Sequence, residues 1–291
     1  MSPGRGLIVE KIAVLGAGIM GAGIAQEAAQ AGYLVILRDL QMSLVKDGLD
    51  SIDASLEKSV QNGVIEQDEK NRILGRIHGT TDLAEVREVD LVLEAVVENM
   101  AVKRQIFAEL DSICPSHTIL ATNTSSLSIS EIAAATHRRD KVIGMHFFYP
   151  VPSTRLVELV KGMDTSDNTL ELASEFADRM SKQSVVVKRE SPGFIVNRIL
   201  MCYINEAIHV LGDGMAGRDD IDMAMKLGAG MKYGPLEIAD FFGLDTLYSI
   251  IDVFCSEFRD SKYRPHPLFT TMIRAGYFGK KSGRGFYEYN Y

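Results

Sequence analysis

The sequence predicts an α/β protein in two parts: a mostly parallel sheet flanked by helices over 1–190, then a second, smaller all-helical domain over 191–291. Three observations carry this. A glycine-rich turn joins an apolar strand to an amphipathic helix near the N-terminus; apolar runs then alternate with helical periodicity up to about residue 187; and beyond Ser191-Pro192-Gly193 almost only helical periodicity remains.

The first segment, KIAVLGAGIMGAGIAQEAAQAGYLVILRD over 11–39, reads as strand, glycine turn, helix, strand and carboxylate. Gly16 permits a tight turn, Gly18 lets the backbone approach a pyrophosphate, and Gly21 lets helix and strand pack closely, so no side chain is expected to be tolerated there. Ile19 and Met20 open the helix, where unsatisfied N–H groups and the positive dipole end attract phosphate. Asp39, at the end of the second strand, is placed for a ribose diol and disfavours a 2′-phosphate. The expected fold is therefore Rossmann-type and the expected cofactor NAD rather than NADP. Arg38 is either a solvated strand-end charge or a guanidinium able to swing to a phosphate.

Next, Val45, Leu49, Ile52, Leu56 and Val60 recur at helical spacing up to a stop at Gly63, and a second helix is predicted over about 66–74. This makes a helical insert of about 42–76, longer than an ordinary crossover between parallel strands; it reads equally well as a carrier of substrate contacts or as a solvated hairpin. Strands follow at Asp90-Leu-Val-Leu-Glu-Ala-Val, Thr118-Ile-Leu-Ala-Thr, Lys141-Val-Ile-Gly-Met, Leu156-Val-Glu-Leu-Val and Ser184-Val-Val-Val. Ser191 is placed to cap a helix with Pro192 in its first turn, and helices are predicted over 195–211, 219–227 and 236–258. The Met-rich DIDMAMKLGAGM reads as adaptable packing rather than a cofactor box.

With 291 residues, 46% of them hydrophobic and 24% charged, the chain can bury a substantial core. Its net charge of −8 argues against a general nucleic-acid or membrane-surface binder. Cys114, Cys202 and Cys255 are odd in number, far apart and without metal-ligand spacing, which suggests buried free thiols in a reducing compartment and no metal. The N-terminal MSPGRGLIVE lacks a signal-peptide core and reads as a loose leader on a cytoplasmic protein.

Hydride transfer needs a partner for the substrate's hydroxyl proton, and histidine is best matched to that near neutral pH. Of six histidines, His146 alone follows an apolar strand at the sheet's carboxyl end, where open α/β folds place ligands. Glu158 is a lone carboxylate inside an otherwise apolar strand and needs a partner; bonded to His146 it would fix the ring's tautomer and stabilise the imidazolium. The Asn123-Thr-Ser-Ser126 turn adds hydroxyls that reach a substrate oxygen or else cap a helix, with Ser128 or Ser130 as alternative caps. Lys103 is either a helix-face charge or an ammonium near a pyrophosphate.

The segments GAGIMGAGIA, EAVVEN, ATNTSSLSI, GMHFFYPVPSTRLVELV, SPGFIVNRIL, INEAI, AMKLGAGMKYGPLEIADFFGLDT and GKKSGRGFYEY stand in an order and spacing that resembles the L-3-hydroxyacyl-CoA dehydrogenase family, most closely its short bacterial 3-hydroxybutyryl-CoA branch. The resemblance covers nearly everything from Lys11 to Tyr287. It implies His146 as general base, Glu158 as its orienting partner, and Ser125 and Asn197 as donors to the substrate oxygens. It further implies NAD contacts from Glu98, Lys103 and Lys281, a CoA contact at Ser55, an acyl-CoA substrate of short chain, and a homodimer formed by the helical domain. Two positions depart from the pattern: Tyr149 replaces the usual Asn of HFFNP, and Asn62 stands where some members carry a lysine, with Lys58 nearby. The competing readings are an NAD-dependent dehydrogenase of a free hydroxy acid and a non-catalytic NAD-binding protein.

Overall fold

A computed structural model describes residues 9–289; the leader residues 1–8 lie outside the described residues. The chain divides after Glu190 into two compact units.

The first unit is built on eight strands. In chain order its elements are β1 (Lys11–Leu15), α1 (Ile19–Gln30), β2 (Leu34–Arg38), α2 (Met42–Gln61), α3 (Gln67–Leu74), β3 (Ile77–Thr80), β4 (Leu91–Glu94), α4 (Met100–Ile113), β5 (Ile119–Thr122), α5 (Ile129–Ala133), β6 (Val142–Phe147), β7 (Leu156–Lys161), α6 (Asp167–Arg179) and β8 (Gln183–Val187). The strand order is β3-β2-β1-β4-β5-β6-β7-β8, with every neighbouring pair parallel except β6 and β7. This is the Rossmann-type, mostly parallel sheet. Central strands β4, β5 and β6 are buried at every position, because helices cover both faces, and they read as unbroken apolar runs for that reason.

Strand β3 was not expected: its IHGT has a glycine and a histidine in four residues, and it is a strand only because β2 offers an edge to pair with. The insert folds as a helical pair. Val45, Ile52 and Leu56 of α2 are buried, and Lys70 of α3 reaches back to Asp53 at 2.9 Å and Glu57 at 2.8 Å. Gly48 brings α2 onto the glycine turn, since a methyl there would lie 2.6 Å from the Ala17 carbonyl oxygen.

The second unit contains α7 (Val196–Gly212), α8 (Arg218–Gly228), α9 (Pro235–Phe242), α10 (Leu244–Phe258) and α11 (Pro267–Arg274). Three expectations need correction. Ser191 does not cap a helix: α7 begins five residues later, and the Ser191 hydroxyl accepts a hydrogen bond from the Arg198 guanidinium. The single helix expected over 236–258 is two, because Gly243 takes φ +93° between them. Of the Met-rich segment, Ile221 packs into the core of this unit, while Met223, Leu227 and Met231 are exposed. Among the thiols only Cys114 is buried; Cys202 and Cys255 are half-buried. Burial pushes the Cys114 thiol up to about 11 and leaves it protonated and inert near neutral pH.

Two buried carboxylates tie the chain's last residues to this core. Asp240 accepts the Phe286 and Tyr287 N–H groups at 2.9 and 2.8 Å, and Asp222 accepts the Leu236 and Glu237 N–H groups at the start of α9 and the Tyr287 hydroxyl. Asp240→Ala strands two backbone donors, so it is expected to cost about 2–5 kcal/mol in urea unfolding, well beyond an ordinary surface substitution.

Candidate active site

The glycine turn crosses the carboxyl end of β1. Gly16 takes φ +99° and donates its N–H to the Arg38 carbonyl, and a methyl there would lie 2.5 Å from the Ala95 carbonyl oxygen. At Gly21 a methyl would lie 1.8 Å from the Gly16 carbonyl oxygen, so helix and turn touch backbone to backbone. Gly18 differs from expectation. Its backbone is extended, and a methyl there would meet no protein atom within 4 Å. The protein itself would accept a side chain at Gly18; the space in front of it is what the glycine keeps open.

Helix α1 begins directly behind that space, with no side-chain cap and no acid in its first turn. The first-turn N–H groups, those of Ile19 and Met20 among them, have no partner within the helix, an arrangement suited to an anion. Asp39, one residue past β2, binds the same turn: its carboxylate accepts the Ala17 N–H at 2.7 Å and the Leu40 N–H at 2.6 Å. Each oxygen keeps lone pairs for ribose hydroxyls. Arg38 is half-buried, and its Nε donates to the Thr81 carbonyl at 3.3 Å. Exposed Ile19, Leu40 and Val97 supply apolar surface in this unit.

The second part of the candidate site forms where the sheet changes direction. Strands β6 and β7 are antiparallel, and their register sets His146 directly opposite Glu158. Directly paired residues on one face lie within side-chain reach. His146 Nδ1 is 2.7 Å from Glu158 Oε2, Glu158 is fully buried, and the imidazole is 6% exposed with the Phe148 ring at 4.4 Å. With Nδ1 turned to the carboxylate, Nε2 lies on the opposite edge of the ring.

A polar network holds the neighbouring turn. The Asn123 side-chain carbonyl accepts the Phe147 N–H at 2.8 Å, tying the end of β5 to the residue after His146. Glu98 accepts the Ser125 N–H at 3.0 Å, the Ser126 hydroxyl at 3.2 Å and the Thr124 hydroxyl. Ser128, not Ser130, caps α5. Lys103 is neither a solvated helix-face charge nor an ammonium open to a pyrophosphate. It is 1% exposed, with Nζ 2.7 and 2.9 Å from the two oxygens of Glu94 and 3.4 Å from Glu98. Sequence reasoning missed Glu94. The signal was the one that found Glu158, a lone carboxylate closing an apolar strand.

Ser55 is half-buried on α2, its carbonyl accepting the Ser59 hydroxyl. In the second unit, Asn197 is half-buried in the first turn of α7, and Lys281 pairs with Asp245 at 2.6 Å. Among the described residues no cluster of three or more His, Cys, Asp or Glu could hold a metal ion, and no helix is long and apolar enough to cross a membrane.

Residues 11–191 match the family model for the 3-hydroxyacyl-CoA dehydrogenase NAD-binding domain, and 193–289 match that for the C-terminal domain of the same enzymes. The chain belongs to the 3-hydroxyacyl-CoA dehydrogenase family. It is 47% identical to a probable 3-hydroxybutyryl-CoA dehydrogenase of Bacillus subtilis, covering 97% of this chain and 98% of the relative. It is 46% identical to the 3-hydroxybutyryl-CoA dehydrogenase of Clostridioides difficile, covering 96% and 99%. The crystal structure of (S)-3-hydroxybutyryl-CoA dehydrogenase from Ralstonia eutropha superimposes with a TM-score of 0.95 at 42% identity, covering 98% of this chain and all of that one. The chain is thus an NAD-dependent dehydrogenase of this family. The glycine turn fits NAD: Gly18 would leave room for the pyrophosphate, the uncapped start of α1 would supply donors, and Asp39 would supply the ribose acceptor.

The two glycines separate fold from cofactor. Gly21→Ala is expected to destabilise the enzyme by about 1–3 kcal/mol in thermal unfolding, because its methyl collides with backbone. Gly18→Ala should unfold like the wild type but bind NAD about tenfold or more weakly in fluorescence titration, because its methyl fills the pyrophosphate's space.

Proposed function

We propose that this dehydrogenase reversibly oxidises a short-chain (S)-3-hydroxyacyl-CoA, with 3-hydroxybutyryl-CoA as the natural size, to the 3-ketoacyl-CoA. The observation that carries the reading is the His146–Glu158 contact at the carboxyl end of the sheet that bears the glycine turn. Bound NAD⁺ supplies the hydride acceptor for C3. His146 takes the hydroxyl proton at Nε2, and Glu158 holds Nδ1 protonated and balances the imidazolium that forms. Ser125 and Asn197 donate hydrogen bonds to the substrate's C3 and thioester oxygens, stabilising the charge that develops there. Ser55 on α2 contacts the CoA moiety, while Glu98 and Lys281 serve NAD. The relatives named for 3-hydroxybutyryl-CoA at 46–47% identity favour the short acyl chain over a free hydroxy acid. We take its working place to be the cytoplasm.

The second unit supports a homodimer. Its surface exposes Met223, Leu227, Tyr233, Phe241 and Phe242, and a groove of about 990 Å³ runs between Tyr233, Ile238 and the two phenylalanines. So much apolar surface on one small unit matches a self-complementary interface with a second copy of the chain.

Two measurements test these readings. His146→Ala should lower NADH oxidation with acetoacetyl-CoA by roughly a hundredfold to ten-thousandfold, and Glu158→Gln should slow turnover while leaving NAD affinity nearly unchanged; turnover equal to wild type in His146→Ala would remove the imidazole from the mechanism. Sedimentation velocity at micromolar concentration should give a dimer, and Phe241→Asp should shift it toward monomer.

A further inference from the structure

Below the Asn123–Ser126 turn lies a buried ion pair that the reaction as described does not use. Glu94 closes β4 with no exposed surface. Its Oε1 accepts the Val96 N–H at 2.7 Å and Lys103 Nζ at 2.7 Å, and its Oε2 accepts Lys103 Nζ at 2.9 Å and the Thr122 hydroxyl at 2.7 Å. Four hydrogen bonds on one carboxylate fill its acceptor sites. A buried charge so fully engaged has a fixed position.

What that position controls is next to the chemistry on two sides. Lys103, held by Glu94, places its ammonium 3.4 Å from Glu98 Oε2, and the other oxygen of Glu98 gathers the Ser125 N–H together with the Thr124 and Ser126 hydroxyls. The Glu94 carbonyl accepts the Asn123 N–H at 2.7 Å, and Asn123 in turn holds the Phe147 N–H beside His146. The Thr122 hydroxyl that binds Glu94 also accepts the Thr124 N–H at 3.3 Å. A residue anchored in β4 thus reaches, through two ionic contacts and the start of the turn, the backbone that carries Ser125.

We infer that Glu94 is a positioning residue for the dehydrogenase reaction: through Lys103 and Glu98 it fixes the turn that aims the Ser125 hydroxyl at the substrate oxygen. The inference rests on the proposed role of Ser125. Lys103 acts in it as a buried tether for Glu98 rather than as a surface charge on the cofactor. Removing the Glu94 charge leaves Lys103 with Glu98 alone, draws that carboxylate toward the ammonium and loosens its hold on Ser125. A shift of about 1 Å in a positioning group can lower a rate on the order of a hundredfold.

The test is a double-mutant cycle on the intact enzyme with acetoacetyl-CoA and NADH, using Glu94→Gln, Ser125→Ala and the double variant. Glu94→Gln is expected to lower kcat by roughly tenfold to a hundredfold while KM for NADH moves by less than about twofold. In the Ser125→Ala background the same substitution should cost less than about threefold, because the hydroxyl it positions is gone. Equal losses in both backgrounds, or a loss expressed in KM for NADH with kcat intact, would overturn the role of Glu94 while leaving Ser125 in place. Wild-type turnover in Ser125→Ala would overturn the Ser125 assignment and this inference with it. If Glu94→Gln fails to fold, Glu94→Asp carries the same cycle, since it keeps the buried charge but draws the carboxylate back from Lys103 and so shifts the tether to Glu98.

Discussion

In the antiparallel pairing of β6 with β7, His146 stands across from Glu158, and the proposed chemistry depends on that register. A strand slipped by one residue would turn every side chain to the opposite face and leave a carboxylate buried without its imidazole. The register is secured on both sides. Apolar side chains from β6 and β7 enter the core, Asn123 binds the Phe147 backbone, and β8 pairs in parallel along the far edge of β7. The one antiparallel pair in the sheet is thus where two titratable groups are forced together in a low-dielectric interior.

The cofactor end obeys a different constraint, backbone contact. Gly16 and Gly21 are glycines because protein atoms fill the space a side chain would need, whereas Gly18 is glycine because nothing fills it. Asp39 belongs to the same construction. Its carboxylate satisfies the Ala17 and Leu40 N–H groups and so is held in place beside the turn. Packing Gly48 of α2 against Ala17 puts the helical insert directly against this turn.

Between these ends runs a chain of charge, from buried Glu94 and Lys103 to Glu98 at the surface, that neither apolar packing nor simple capping explains. Ion pairs of this kind add little net stability compared with apolar replacements, because desolvation offsets the attraction. What they provide is a defined geometry, and here that geometry is delivered to the turn of Asn123–Ser126, in which the Thr124 hydroxyl also accepts the Ser126 and Leu127 N–H groups.

Much was legible before any coordinates. The apolar runs gave seven of the eight strands, the glycine spacing located the turn between β1 and α1, and the lone carboxylate of Glu158 pointed to His146, because strand burial and close backbone approach impose residue types that survive in the linear pattern. Short β3, the break at Gly243 and the exposure of the Met-rich segment were not legible, since each depends on what lies beside it in space. The same holds for Lys103. In the chain it is an isolated lysine on a helix; only the packing of α4 against the end of β4 makes it the buried partner of Glu94. The sequence by itself determined the strand-turn-helix grammar, the close-packed glycine turn and the candidate pair of His146 and Glu158, because those follow from local periodicity and side-chain chemistry. Tertiary structure alone decided which charges meet, because an ionic partner many residues away is chosen by strand register and helix packing.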